Sequence, residues 1–480
     1  TGTASGTYVT LNTSSSAKFL GSVLLNNAGS GSNNFINLNR SGSCRFSGNI
    51  QVSSNAGRGI WFGELTGKAQ LDSTKTISLA SGFSVGELRL KNFIQKGDAA
   101  QNLVFTGTTA IIRIGTQSVW EGELRMKAPQ LYLDGGTYFG KVTLEKTGSI
   151  TNSSVGGNVF KQSSILTNSG TAPFILGKDF PDSASASLIV NNTGGSSIIL
   201  ASKTKGNWLG GKVTLNNELG NITVGDQAVS EITFADSVWI NNRSANAVVI
   251  ANAANSQVSF KGFLGLRNLL NANAASNNQI YVGNAGICRM SGLVTVSNTS
   301  QGSTSGIIFG NNALSRDTLT SIGQLEIGAE GFARGQLLIK NLAYLNPATM
   351  ILNLSSAVIP DANTSILSVG SNCSFLGKVD FSSPQLILNS GIYRLGGFFT
   401  KTGTVNNSGG GNTYSAKAVF NLQGNAVWDI ALNAPDRFKG EAEFNNFSTQ
   451  LLRIGGASKG TIFEKKVVCN NTSSGSLTIA

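Results

Sequence analysis

Acid–base chemistry on a polymer needs two carboxyl groups facing one another across the reacting bond. The closest carboxylates in this sequence are Glu121/Glu123 and Glu441/Glu443. In Trp120-Glu121-Gly122-Glu123-Leu124-Arg125-Met126, strand alternation sends Trp120, Leu124 and Met126 inward and both glutamates outward beside Arg125. That pattern reads as a solvated, ion-paired strand rather than a catalytic pair. Ser15-x-x-Lys18 has the spacing of a nucleophile and its base, but serine is frequent enough here for chance to supply it, and it receives no role. The chain has no His, which removes imidazole catalysis and most zinc and haem sites. No D-x-D-x-D-G calcium loop occurs, and none of Cys44, Cys288, Cys373 and Cys469 forms a C-x-x-C pair. No catalytic, cofactor-binding or metal-ligating residue is assigned, and no cofactor is expected.

The elements that would position any site are written in the composition. Of 480 residues only 36 are Lys or Arg and 24 Asp or Glu, 12% in all; an average soluble domain carries about twice that share. Gly contributes 59 residues and Pro only 7. Apolar residues make up 40%, enough for a large core, and the remainder is dominated by Gly, Asn, Ser and Thr, which are turn formers. No segment sustains a helical period with a capped start, so an all-β protein of short strands and tight turns is expected. No apolar run reaches the length of a membrane span. The net charge of +12 is spread out, with small clusters at Lys203-Thr204-Lys205 and Glu464-Lys465-Lys466. No basic stripe with interleaved aromatics marks a nucleic-acid partner.

A short unit recurs along the chain. Pairs such as Val23/Leu25, Ile50/Val52, Val142/Leu144, Val213/Leu215 and Val294/Val296 bracket a residue that points the other way. An aromatic and a Gly often precede the strand, as in Phe46-Ser47-Gly48 and Phe375-Leu376-Gly377. Many strands close on an Asn pair: Asn26-Asn27, Asn191-Asn192, Asn216-Asn217, Asn241-Asn242, Asn406-Asn407, Asn445-Asn446 and Asn470-Asn471. Asn tolerates the left-handed backbone of a corner, and its amide can stack in a ladder. The spacing, roughly 20–30 residues, is a solenoid period.

A long repeat overlies the short one. Residues 44–52 read CRFSGNIQV and residues 288–296 CRMSGLVTV; residues 82–93 read GFSVGELRLKNF and residues 331–342 GFARGQLLIKNL; APQLYL at 128–133 answers SPQLIL at 383–388. The offsets of 244, 249 and 255 define two tandem copies, 1–245 and 246–480, of one continuous solenoid without a linker. Cys44 and Cys288 are then one position in two copies, about 50 Å apart at ~4.8 Å per coil, too far to bridge. Cys373 answers Ser118 and Cys469 answers Leu215, so all four read as free thiols in or near the core. The expected architecture is a parallel β-solenoid (β-helix) of about 19 coils, ~90 Å long, with Ile50, Val52, Val294 and Val296 inward. A string of β-sandwiches is the alternative, disfavoured by the lack of long alternating strands.

The run of aromatic-x-Gly, a short V/I-x-L strand, Asn-Asn and a Ser/Gly-rich stretch ending in a triplet such as Ile198-Ile199-Leu200 resembles the giant β-strand-repeat surface proteins of Bacteroidetes. These are adhesin- or filament-type, gliding-adhesin-like proteins associated with type IX secretion. The resemblance covers nearly the whole chain, without that group's C-terminal sorting domain. It implies a non-enzymatic extracellular structural or adhesive rod at the cell surface, a segment of a giant repeat adhesin or a surface filament. It also implies O-glycosylation at Asp-Ser/Thr triplets, here at Ser73, Ser183, Ser237 and Thr318. A carbohydrate-active β-helix enzyme, lyase or hydrolase, or a phage tailspike-like protein is the alternative. Expected partners are copies of itself or further repeats end to end, and surface glycans. Thr472–Ala480 parallels the stretch around Glu218–Gly225, after which the first copy continues; with no initiator Met at Thr1, the sequence is expected to be a segment of something longer.

Overall fold

The computed structural model describes residues 8–11, 14–28, 31–55, 57–269, 278–300, 305–332, 334–354, 365–403, 407–455 and 460–479. Asn406, the first member of one expected Asn pair, lies outside them. The chain is a parallel β-solenoid of about 17 turns with no helix among the described residues, close to the 19 expected. Two compact units divide it, Thr1–Ala235 and Asp236–Ala480.

Within the first unit each turn visits three faces. An aromatic face carries strands such as Ser43–Phe46, Lys68–Leu71 and Phe93–Gln95. An asparagine face follows, with Val142–Lys146, Ser164–Asn168, Leu188–Asn192 and Val213–Asn217 in unbroken register. An aliphatic face closes the turn, as in Glu87–Leu90, Ile111–Ile114 and Gln130–Leu133. Short strands suffice because each residue pairs with the turn before and the turn after. The alternation sorts side chains as expected: Ile50, Val52, Trp120, Leu124 and Met126 are fully buried. Inward aromatics touch from turn to turn, with Phe93 and Trp120 centroids 5.3 Å apart and Tyr138 and Phe160 4.9 Å apart. Each such side chain contributes about 1.5–3 kcal/mol of burial.

The Asn pairs differ from the expectation in one respect. Asn26-Asn27, Asn191-Asn192, Asn216-Asn217, Asn241-Asn242, Asn445-Asn446 and Asn470-Asn471 do not sit at left-handed corners but end extended strands; positive φ falls instead on Asn39, Asn92, Asn341 and Asn372, among others. Strand alternation therefore splits each pair. The first Asn faces out and bonds its counterpart one turn away, as Asn216 Nδ2 does to Asn191 Oδ1 at 2.9 Å. The second faces in and is fully buried at Asn192, Asn217, Asn242 and Asn446. Asn192 Nδ2 donates to the Ser196 carbonyl at 2.8 Å and to the Asn221 carbonyl at 2.9 Å, tying the asparagine strand to the turn after it and to the next aliphatic strand. Buried Nδ2 donors satisfied this way cost little, whereas unpaired ones cost about 1–3 kcal/mol.

The second unit repeats the plan, with Val294 and Val296 buried. Its interior is more aromatic. Phe375, Tyr393, Tyr414, Phe438 and Phe463 stack at 4.8–5.2 Å along the aromatic face. Phe399, Phe420 and Phe444 form a second stack that meets the first edge-on, as Phe399 meets Tyr414 at 5.5 Å and 76°. In the first unit the position of Phe438 is taken by Ala184. Beside it lies a cavity of about 30 Å³ lined by Phe160, Leu166, Leu188 and Leu209. Cys44, Cys288 and Cys373 are buried free thiols; Cys469, expected near the core, is exposed.

Candidate functional site

The carboxylates picked from the sequence are each tied to a neighbouring turn. Glu121 accepts from Lys96 Nζ at 2.8 Å and from the Gly97 amide at 2.7 Å, so its partner is Lys96 rather than Arg125. The Lys96 hydrogen bond, then the Gly97 amide, hold its pKa below the ordinary range. Glu443 pairs with Lys417 at 2.8 Å, and that hydrogen bond lowers its pKa likewise. A general acid needs the opposite shift. Glu123 and Glu441 are exposed. Among the described residues no group of three or more His, Cys, Asp or Glu gathers as a metal cluster.

The four hydroxyls of the Asp-Ser/Thr triplets fall into two structural classes. Ser73 and Ser237 lie in the turn after an aromatic-face strand. Asp72 is gripped by Arg45 at 2.8 and 3.0 Å and by Ser47 at 2.8 Å, and the Arg45 hydrogen bond lowers its pKa, leaving Ser73 exposed. The Ser237 amide donates to Asp236 at 2.6 Å. Ser183 and Thr318 instead sit within aromatic-face strands and point outward, since Ala184, Asp317 and Leu319 are buried. Ser183 is half-buried in register between Val159 and Trp208; Thr318 is half-buried between Arg289 and Ala343.

Sequence reasoning missed a set of inward ionisable groups. Asp182 turns its carboxyl onto the Asn158 amide at 2.9 Å and Asn158 Nδ2 at 2.8 Å. Asp436 does the same to Asn412, at 2.8 and 3.1 Å, at the corresponding place of the second unit. Burial pushes Asp182 up to about 6 and Asp436 to about 7. Asp317 is buried with one oxygen on the Cys288 amide at 3.2 Å, and burial raises it well above the carboxylate range. Lys146 and Lys401 occupy the inward asparagine position in the two units. Lys146 Nζ donates to the Gly148 and Ala172 carbonyls at 2.8 and 2.9 Å, and Lys401 Nζ to the Val427 carbonyl at 2.8 Å. Burial lowers both to about 8. The signal was present: Val142/Leu144/Lys146 continues one inward alternation.

A second outward cluster assembles from four turns of the first unit. Trp61, Arg89, Arg113 and Tyr132 are successive register partners on the aliphatic face. Arg89 stacks 4.0 Å over Trp61 and Arg113 3.9 Å over Tyr132. Glu87 pairs with both arginines, at 3.0 and 2.7 Å, and Asp134 with Arg113 at 2.5 Å. The carboxylates neutralise the guanidiniums, which leaves a rigid aromatic–ionic seam rather than a phosphate-binding stripe. No family model, no curated protein and no solved structure matches the chain.

Proposed function

We propose that this chain serves as a non-enzymatic extracellular structural and adhesive rod, a segment of a giant repeat adhesin or surface filament at the cell surface. A β-solenoid is consistent with a structural or adhesive rod. The observation that carries the rest is the use made of the outward polar groups. The ion pairs Arg45–Asp72, Lys96–Glu121, Lys417–Glu443 and Arg437–Glu464 join one turn to the next, so the charges brace the stack instead of converging on a substrate groove. Each turn is held to its neighbours by parallel backbone pairing on three faces, so the stack is a chain of similar interfaces.

The Bacteroidetes-type reading, with type IX export and O-glycans on Ser73, Ser183, Ser237 and Thr318, belongs to the same proposal. So does association with copies of itself. Single-molecule stretching tests the mechanical role: unfolding in discrete high-force steps supports it, and yielding at forces typical of loose helical domains overturns it. A polysaccharide panel tests the enzyme alternative, which turnover abolished by Glu121→Gln or Glu123→Gln would establish.

A further inference from the structure

Trp208 stands apart from the other tryptophans. Trp120 and Trp428 are fully buried, Trp61 lies under Arg89, and Trp239 is covered by Arg267 at 3.9 Å and Phe263 at 4.8 Å. Trp208 points out from the aromatic face with 43% of its surface exposed, and among the described residues no cation stacks on it. Its indole is laid along the surface rather than standing up from it. The ring covers Gly210, where a Cβ would stand 2.0 Å from Cη2; only glycine leaves the ring that seat. The residues flanking Gly210 on adjacent turns, Ser185 and Ala235, are small. The register partners of Trp208 itself are Ser183 on one side and Thr233 on the other, both pointing outward.

We infer that this is a carbohydrate-binding platform for a neutral pyranose. An indole face takes the C–H face of a sugar ring, and in a chain whose Ser183 carries no O-glycan the Ser183 and Thr233 hydroxyls, one strand spacing away at about 4.8 Å, take its equatorial hydroxyls. The run Val159-Ser183-Trp208-Thr233 itself carries no charged side chain, and Glu231, two residues before Thr233 on the same alternation, disfavours an anionic ligand. An apolar peptide side chain would call for a concave pocket, whereas the seat here is flat and rimmed by hydroxyls. The platform deepens the adhesive reading above and rests on it.

The test uses the whole chain and two probes, a β-1,4-linked glucose hexasaccharide and a β-1,4-linked N-acetylglucosamine hexasaccharide. Tryptophan emission and saturation-transfer NMR follow binding. The expected result is transfer to ring C–H protons for at least one probe, with Trp208→Ala binding about tenfold more weakly and Trp208→Phe in between. Unfolding profiles of the variants confirm that they fold. Should Trp208→Ala fold poorly, Gly210→Ala, which displaces the ring, gives the same readout. Equal binding by wild type and variants, or no response to either probe, overturns the proposal. Unchanged stretching behaviour in those variants would separate a failed platform from a failed structural reading.

Discussion

Asp182 and Asp436 hold acids where the fold prefers them neutral. Their ordinary value is 3.8, and burial lifts them to about 6 and about 7. A folded pKa above the unfolded one means that the full contribution is present below pH ~4 and is lost as pH rises through ~6 to 7. Lys146 and Lys401 work in the other direction. Their folded value of about 8 lies below the ordinary 10.5, so stability is gained as pH rises from ~8 towards ~10. The wild-type melting temperature is therefore expected to dip in the neutral range. In Asp182→Asn/Asp436→Asn, where an amide keeps the shape and the acceptor of the neutral acid, the fall between pH 4 and 7 should flatten. Lys146→Met is expected to flatten the alkaline rise. Calorimetry across pH checks both, and an unchanged acid limb in the Asn variant refutes the first. For the inner amides, Asn192→Ala should cost about 1–3 kcal/mol by stranding the Ser196 and Asn221 carbonyls, measured by denaturant unfolding.

At the level of strands and faces, the two units show what one aromatic column adds. Phe438 stacks on Tyr414 at 4.8 Å and on Phe463 at 5.0 Å, so Phe438→Ala is expected to lose about 3–5 kcal/mol. Ala184 is buried next to Ser183, which lines the cavity of about 30 Å³, and Ala184→Leu should gain roughly 0.5–2 kcal/mol if the longer side chain reaches into it. A loss there, by denaturant unfolding, would mean that the void cannot accept the extra atoms. The inward set was legible because alternation at Ile50/Val52 or Val294/Val296 leaves one choice of face once a core exists. Asn pairs were misread as corners because Asn has a strong turn preference, and tertiary pairing overrode it at Asn191-Asn192. Trp208 could not be picked from the chain. Its exposure depends on Gly210 and on partners about 25 residues away in the neighbouring turns.

For the molecule as a whole, the same buried contacts recur in both units: Asn158/Asp182 as Asn412/Asp436 and Lys146 as Lys401. With ion pairs running from turn to turn at the surface, high salt should lower stability only modestly, since exposed pairs are worth about 0–1 kcal/mol each. The prediction at this scale is catalytic silence: no polysaccharide of a broad panel is expected to be shortened on prolonged incubation, as read by reducing-end release. Turnover that vanishes in Glu441→Gln/Glu443→Gln would reverse that reading.

The inner asparagine column has a consequence for how the chain finds its order. A stack of near-identical rungs is ambiguous, because a nascent turn gains almost the same contacts one rung too early or too late. Leu188–Asn192 and Val213–Asn217 present the same outline to any neighbour. A buried ammonium is not interchangeable in this way. Displaced by one rung, Lys146 would lose the Ala172 carbonyl that it now holds at 2.9 Å, at a cost of several kcal/mol for an unpaired buried charge. Lys146 and Lys401 thus act as address marks in a repetitive text, one per copy, and Lys146→Asn should yield a chain that keeps its strand content yet refolds to a mixture of mispaired registers, resolved by hydrogen exchange as heterogeneous protection around that rung.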